Sequence, residues 1–451
     1  MTIVAIDPAT GETVKKYKEM TPEEVSRVIE KSHEAFLTWR KTTFSHRSGL
    51  MKKAGEILRD RSAEFALLMA SEMGKPVTQG RAEAEKCAWV CDYYADNAET
   101  FLQSQTVKTE AARSFVAFQP LGVILAVMPW NFPFWQVLRF AAPALMAGNA
   151  GILKHASNVP GCALAIEEIF RSAGFPENIF RTLLIGSRQV SAVIENPLVR
   201  AATLTGSTPA GRAVAGKAGQ MLKKTVLELG GSDPYLILED APLDQAVMTC
   251  VSSRLINSGQ SCIAAKRFIV VESLKERFES LYVQRMAMAK MGDPAQEATE
   301  VGPQARQDLR DELHEQVQKS IERGARCLLG GEIPEGKGAF YPPTVLTDVK
   351  PGTPAYDEEL FGPVASIIPV KNDEEAIRVA NDSIFGLGAA VFTSDTAKGE
   401  QIATYDLEAG CCFVNDLVRS DPRLPFGGVK ESGYGRELSH YGIKEFVNIK
   451  T

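Results

Sequence analysis

Metal-ligand spacing is missing from this sequence. Its five histidines are scattered, and neither HExxH nor a zinc-type pattern occurs, so no metal is expected. Cysteine is sparse: eight in 451 residues (Cys87, Cys91, Cys162, Cys250, Cys262, Cys327, Cys411 and Cys412), with no CxxC pair. That excludes a disulfide framework and suits a reducing cytoplasm. A basic excess is lacking too. Fifty Lys and Arg stand against 56 Asp and Glu, a net charge of −6, which argues against a nucleic-acid partner. The longest apolar run near the middle, 121–128, is far too short to cross a bilayer. Residues 1–10 carry no cationic segment followed by an apolar one, so neither a signal peptide nor membrane association is expected. Tandem repeats and low-complexity linkers are absent.

What remains is an ordinary globular composition, 45% hydrophobic and 24% charged. The length suits two or three domains. Residues 21–39 predict a helix: Thr21 can cap it, Pro22 fits its first turn and Glu24 completes a capping box. Further helical regions are expected over 45–73, ending at Gly74, and over 81–102, where Cys87 and Cys91 share a face as small core residues. Residues 107–118 alternate and are rich in β-branched residues, which predicts extended strands. From 121 to 217 strands and helices alternate, and a second alternating series is expected from about Thr225, with the domain join near Gly230-Gly231. Repeated βα units imply an α/β fold with parallel sheets covered on both faces, and ligands at the carboxyl ends of the strands.

Four segments can carry chemistry. Gly259-Gln260-Ser261-Cys262 falls between a helix and a strand, a good mount for a nucleophile whose neighbouring N–H groups face an oxyanion. Taken alone, Cys262 fits a buried structural cysteine as well. Glu228, in Thr225-Val226-Leu227-Glu228-Leu229-Gly230-Gly231, has apolar neighbours that would raise its pKa toward general-base work, unless it faces water at a strand edge. Pro129-Trp130-Asn131-Phe132-Pro133 fixes Asn131 between two prolines, either to donate to an oxyanion or as a rigid aromatic turn. Thr205-Gly206-Ser207-Thr208-Pro209 opens a helix whose free N–H groups suit a phosphate, or is simply a cap.

Together and in this order the four segments resemble the aldehyde dehydrogenase superfamily. So do Leu153-Lys154, Glu359-Leu360-Phe361-Gly362-Pro363 and Pro425-Phe426-Gly427-Gly428-Val429-Lys430-Glu431-Ser432-Gly433. The resemblance covers essentially the whole chain. It implies a Rossmann-like cofactor domain (1–106 and 120–230), an α/β catalytic domain (231–431) and a small β oligomerisation element (107–119 and 432–451). It also implies that Cys262 attacks an aldehyde, that Asn131 and the Cys262 N–H hold the oxyanion, and that Glu228 activates the water that hydrolyses a thioester. Lys154 and Glu359 match ribose-binding positions, Gly206 and Ser207 the pyrophosphate loop, and Trp130 and Phe361 the walls of the cofactor cleft.

Within the superfamily, Arg139 and the phrases Phe134-Trp135-Gln136-Val137 and Gly433-Tyr434-Gly435-Arg436-Glu437-Leu438 resemble the shorter bacterial and cyanobacterial succinate-semialdehyde dehydrogenases. Arg139 lies two helical turns past Asn131 and would bind the substrate's distal carboxylate. Trp135 and Ser261 are further substrate-facing positions. Some relatives use a second arginine where this chain has Ile256, so Arg419 and Ser420 are candidates for a second anchor. Ala264 stands where some relatives have a redox-switch cysteine. Ser157 replaces a glutamate that NAD-preferring relatives often carry, which favours NADP with NAD usable. The resemblance also implies 4-aminobutyrate breakdown and homodimers or homotetramers, with 107–118 pairing with a partner chain. Glutarate semialdehyde, a neutral aldehyde, a CoA-acylating activity and a non-catalytic binding protein are the alternatives.

Overall fold

The structure, a computed structural model, describes residues 2–451. Two parallel sheets dominate it. The first has six strands in the order Gly433–Tyr434, Lys224–Glu228, Val199–Thr205, Val123–Met128, Ala150–His155, Phe180–Thr182. All pair in parallel except Gly433–Tyr434, which runs antiparallel to Lys224–Glu228. The second has seven, in the order Arg326–Leu329, Thr344–Thr347, Val364–Val370, Arg267–Val271, Pro234–Ile237, Gly388–Phe392, Cys411–Val414. Only Arg326–Leu329 is antiparallel there. The central strands read as unbroken apolar runs, such as VILAVM at Val123–Met128, because helices cover both faces.

Several elements arise directly from local chemistry. The helix Pro22–Trp39 starts in a complete capping box: Glu24 N–H donates to Thr21 Oγ1 at 3.2 Å, and Thr21 N–H to Glu24 Oε2 at 2.8 Å. Gly74, at φ +77°, ends Ser62–Met73 in the left-handed region that only glycine adopts cheaply. The region expected as one helix over 45–73 is two, Phe44–Asp60 and Ser62–Met73, broken at Arg61, whose guanidinium turns to Glu64 at 2.6 Å. The helix after Pro76 begins at Val77 and runs to Phe101. Cys87 and Cys91 are buried on it.

Two expectations need correction. The strand Lys224–Glu228 opens no second series. It belongs to the first sheet, with Thr205 opposite Glu228, and the second sheet begins at Pro234. Residues 107–118 are not extended throughout. Gln105–Thr106 pairs with Phe115–Val116 around an irregular tip, and Phe115–Pro120 pairs in turn with Val447–Lys450. These three strands make a separate small antiparallel sheet.

Arg139 sits on the helix Trp135–Met146, which is buried all round, as expected for a hydrophobic helix in the middle of a large core. The first turn of this helix has no cap of its own. Instead Glu83, from Val77–Phe101, accepts from the Phe134 and Trp135 N–H groups, both at 2.9 Å. Its charge is met by the buried ammonium of Lys75. A carboxylate at a helix N-terminus is favoured by the helix dipole.

Candidate active site

The chemistry-bearing segments converge at the carboxyl ends of the first sheet. Trp130 and Asn131 follow Val123–Met128, Lys154 lies near the end of Ala150–His155, Gly206 and Ser207 follow Val199–Thr205, and Glu228 ends its own strand. From the other sheet, Cys262 arrives on the loop between the helix Leu243–Leu255 and the strand Arg267–Val271. That loop is bent by three consecutive left-handed residues: Asn257 (φ 51°), Ser258 (φ 56°) and Gly259 (φ 77°). The turn is held by contacts on every side. The Asn257 amide donates to the Asn131 carbonyl at 2.7 Å and the Gln260 carbonyl at 3.1 Å. Arg254, buried and without an acid partner among the described residues, donates to the Gly259 carbonyl at 2.6 Å. Lys266 donates to the carbonyls of Ser261 and Cys262 at 2.9 and 2.8 Å, and pairs with Glu359 at 3.1 Å.

Two cavities meet at Cys262. The smaller, about 300 Å³, is lined by Trp130, Asn131, Gly206, Ser207, Glu359 and Phe361 as well as Cys262. Trp130 and Phe361 meet edge to face across it, with centroids 5.7 Å apart. The larger, about 790 Å³, is lined by Lys86, Trp135, Arg139, Ser261, Cys262, Arg419 and Ser420 among others. A thiol at the junction can reach a group in either cavity.

Charges here are set by burial. The Cys262 thiol is pushed up to about 12, first by burial and then by the Glu359 and Asp233 carboxylates, against the pull of Lys266 and Arg139. Glu228 is buried with neither carboxylate oxygen hydrogen-bonded. Its pKa is raised well above the ordinary value by burial and by Glu437, while Arg139 and Arg436 oppose. Asn131 is pinned by one amide bond to the Gln260 carbonyl, at 3.1 Å, and its second N–H is left to donate elsewhere.

The cofactor-side groups are similarly under-occupied. Ser207 precedes the helix Thr208–Gln220 without a side-chain capping bond, so the first N–H groups face out. Lys154 is buried, its pKa lowered by that burial, and no carboxylate pairs with it among the described residues. Ser157 stands on the exposed turn before Pro160–Ser172 and lines a separate cavity of about 1340 Å³ with Asn158, Arg188 and Arg306. A buried lysine without a counter-charge, a helix start without a cap and an aromatic-walled cleft fit a dinucleotide.

The sequence profile of the aldehyde dehydrogenase family matches residues 1–451. The chain belongs to the aldehyde dehydrogenase family. It is 52% identical to a probable succinate-semialdehyde dehydrogenase [NADP(+)] of Synechocystis sp., over 100% of this chain and 99% of that protein. It is 49% identical to a succinate-semialdehyde dehydrogenase [NADP(+)] of Mycobacterium avium, over 100% and 96%. Its fold superposes on the crystal structure of succinic semialdehyde dehydrogenase from Streptococcus pyogenes in complex with NADP+ with a TM-score of 0.97, at 39% identity over 99% and 98% of the two chains.

In this aldehyde dehydrogenase the structure brings the substrate-side residues together unequally. Arg139 lines the larger cavity, but its Nε already faces the buried Glu437 carboxylate, its guanidinium lies over the Phe426 ring at 4.8 Å, and its Nη2 reaches Thr205 Oγ1 at 3.4 Å. Arg419 is half-exposed and paired with Asp416. Ser420 is buried. Four residues that had no role in the sequence reading support the site. Lys266 and Glu437 are two of them. Glu83 is the third, and His155 is the fourth. Buried and held neutral with its pKa down to about 4, His155 donates through Nε2 to the Pro133 carbonyl at 2.9 Å and so fixes the Asn131 turn. Lys86, on the cavity wall, was also unmarked.

Proposed function

We propose that this aldehyde dehydrogenase oxidises succinate semialdehyde to succinate with NADP, NAD being usable too. The observation that carries the reading is the larger cavity: its approach to Cys262 is bordered by the cations Arg139 and Lys86 rather than by an all-apolar wall. The names of the relatives point the same way. Cys262, having given up its thiol proton, attacks the aldehyde carbon as the thiolate through Sγ. The second Asn131 N–H and the Cys262 backbone N–H hold the developing oxyanion. NADP, held by the residues named below, would supply the hydride acceptor, and the oxidised carbon would stay on Cys262 Sγ as a thioester. Glu228 takes the proton of the water that releases the acid. Trp130, Lys154, Ser157, Gly206, Ser207, Glu359 and Phe361 are the residues that would hold the cofactor, and Arg139, Trp135, Ser261, Arg419 and Ser420 those that would face the substrate.

We read residues 1–106 and 120–230 as the cofactor domain, 231–431 as the catalytic domain, and 107–119 with 432–451 as an oligomerising arm in a cytoplasmic homodimer or homotetramer serving 4-aminobutyrate breakdown. No helix among the described residues is long and apolar enough to cross a membrane.

The test is a substrate panel with NADP and NAD in parallel, with and without CoA. Succinate semialdehyde should give the highest kcat/KM, with NADP, and need no CoA. Faster turnover of butanal or of a longer semialdehyde would replace the substrate, and a CoA requirement would replace the reaction.

A further inference from the structure

We infer that Lys86, seated on the substrate-facing Ser420, is a further specificity residue, completing with it an anion seat that holds the carboxylate end of the aldehyde substrate beside Arg139. The seat rests on the succinate-semialdehyde proposal for the identity of that substrate. Ser420 Oγ accepts from Lys86 Nζ at 2.9 Å and from Trp135 Nε1 at 3.1 Å. A hydroxyl has two lone pairs and one proton. With both lone pairs filled, the remaining O–H can only donate, and no acceptor takes it among the described residues. Lys86 makes that single hydrogen bond, so two of its three N–H groups are also uncommitted.

The charge balance agrees. No carboxylate forms an ion pair with Lys86 among the described residues, and the two that act on it from nearby, Glu83 and Asp421, are engaged elsewhere. Glu83, one turn before it on the same helix, is held by Lys75 and by the Phe134 and Trp135 N–H groups. Asp421, next to Ser420, is held by Arg423 at 2.6 Å. Arg139 lies close enough to depress the Lys86 pKa, which burial and that neighbour bring down to about 8. Of the cations near this end of the cavity, Arg139 faces Glu437 and Arg419 pairs with Asp416, while Lys86 makes no ion pair among the described residues, which favours an anion beside it. Trp135 lies under the ammonium at 4.3 Å, which keeps Lys86 turned to the cavity rather than to bulk water. Arg139 remains the inner cation, steadied by Glu437. Lys86 with Ser420 supplies the fork of donors that a carboxylate needs and that Ile256 does not provide.

Two readouts test the seat. In the first, Lys86→Met should lower the ratio of kcat/KM for succinate semialdehyde to that for butanal by about 10- to 100-fold, chiefly through KM, the loss expected for one charge-assisted bond. Lys86→Arg keeps the charge and should hold the ratio within a few-fold, which separates lost charge from a damaged fold. In the second, succinate is titrated into NADP-loaded Cys262→Ala protein by calorimetry, and Lys86→Met in that background should weaken its binding at least tenfold. If succinate binds equally well with and without Lys86, the seat is wrong whatever the substrate. If binding depends on Lys86 but wild-type enzyme prefers another aldehyde, the seat stands and the succinate-semialdehyde reading falls.

Discussion

At the scale of single residues, the unusual property of Cys262 is that it rests protonated. A nucleophilic thiol is commonly thought of as a preformed thiolate, favoured by a cation or a helix N-terminus. Here the cations Lys266 and Arg139 are present, but burial outweighs them and the pKa is pushed up to about 12. Glu228 is raised as well, so burial pushes both groups toward their protonated forms. This has a measurable sign. Below the pKa the thiolate fraction grows about tenfold per pH unit. Iodoacetamide modification of Cys262 in cofactor-free enzyme, followed by peptide mapping, should therefore keep rising from pH 7 to pH 10. A plateau by pH 8 would show a thiolate already formed. The exposed Cys327 is the internal comparison. Cys262, Glu228 and Asn131 could be singled out as candidates because each sits in a short motif beside glycine or proline. Lys86, Lys266 and Glu437 could not. A lysine or glutamate on a helix or loop looks solvated until the tertiary partner that buries it is known.

At the scale of elements, the nucleophile loop is the place where the backbone is forced. Asn257 and Ser258 in the left-handed region cost roughly 1–3 kcal/mol each, and that cost is offset by the bonds from Arg254 and Asn257 and by Ser258 Oγ, which accepts from the Gly302 N–H at 2.8 Å. Gly259 completes the bend in contact with the Gly362–Pro363 backbone. A Cβ there would lie 2.1 Å from the Gly362 carbonyl oxygen, and that oxygen cannot retreat without moving Phe361 beside it. Gly259→Ala should displace both the thiol and the cofactor wall. A displacement of about 1 Å at a reacting atom costs on the order of 100-fold, so kcat/KM should fall at least that far and NADP affinity should weaken with it. Gly211→Ala offers a contrast, because its Cβ would meet only the end of the Leu229 side chain, 2.6 Å away, which can turn. If Gly259→Ala keeps activity, the loop is not held as described. The sequence places Gly259 between a helix and a strand. It could not show that the glycine is needed for a close approach by residues a hundred positions later, since nothing local records that contact.

At the scale of the whole molecule, alternation of strands and helices was enough to anticipate parallel sheets, but not which strands lie side by side. Pro234–Ile237 pairs with both Arg267–Val271 and Gly388–Phe392, the latter more than 140 residues away. Such neighbours are chosen by the closure of the core rather than by any pattern along the chain. The small sheet Val447–Lys450, Phe115–Pro120, Gln105–Thr106 stands apart from both large sheets. It is firmly rooted: Asn149 Nδ2 donates to the Phe446 carbonyl at 3.0 Å, and the Phe140 and Phe446 rings meet edge to face at 5.7 Å. Beyond that root both outer strands present unpaired edges, and Ile449 (62% exposed), Val107 (47%) and Phe115 (38%) stand in solvent. A rooted three-stranded sheet with apolar edges is a template for another chain, and it supports the proposed homodimer or homotetramer. Light scattering on the intact protein should give a multiple of 49.1 kDa. Replacing Ile449, on one outer strand, and Val107, just past the other, together by lysine puts charge at both edges without touching either large sheet. The pair should shift the mass toward one chain at micromolar concentration, while far-ultraviolet circular dichroism and NADP binding hold. A single-chain mass for the unaltered protein would remove the partner from these edges, and an unchanged oligomer in the double variant would move the interface to another face.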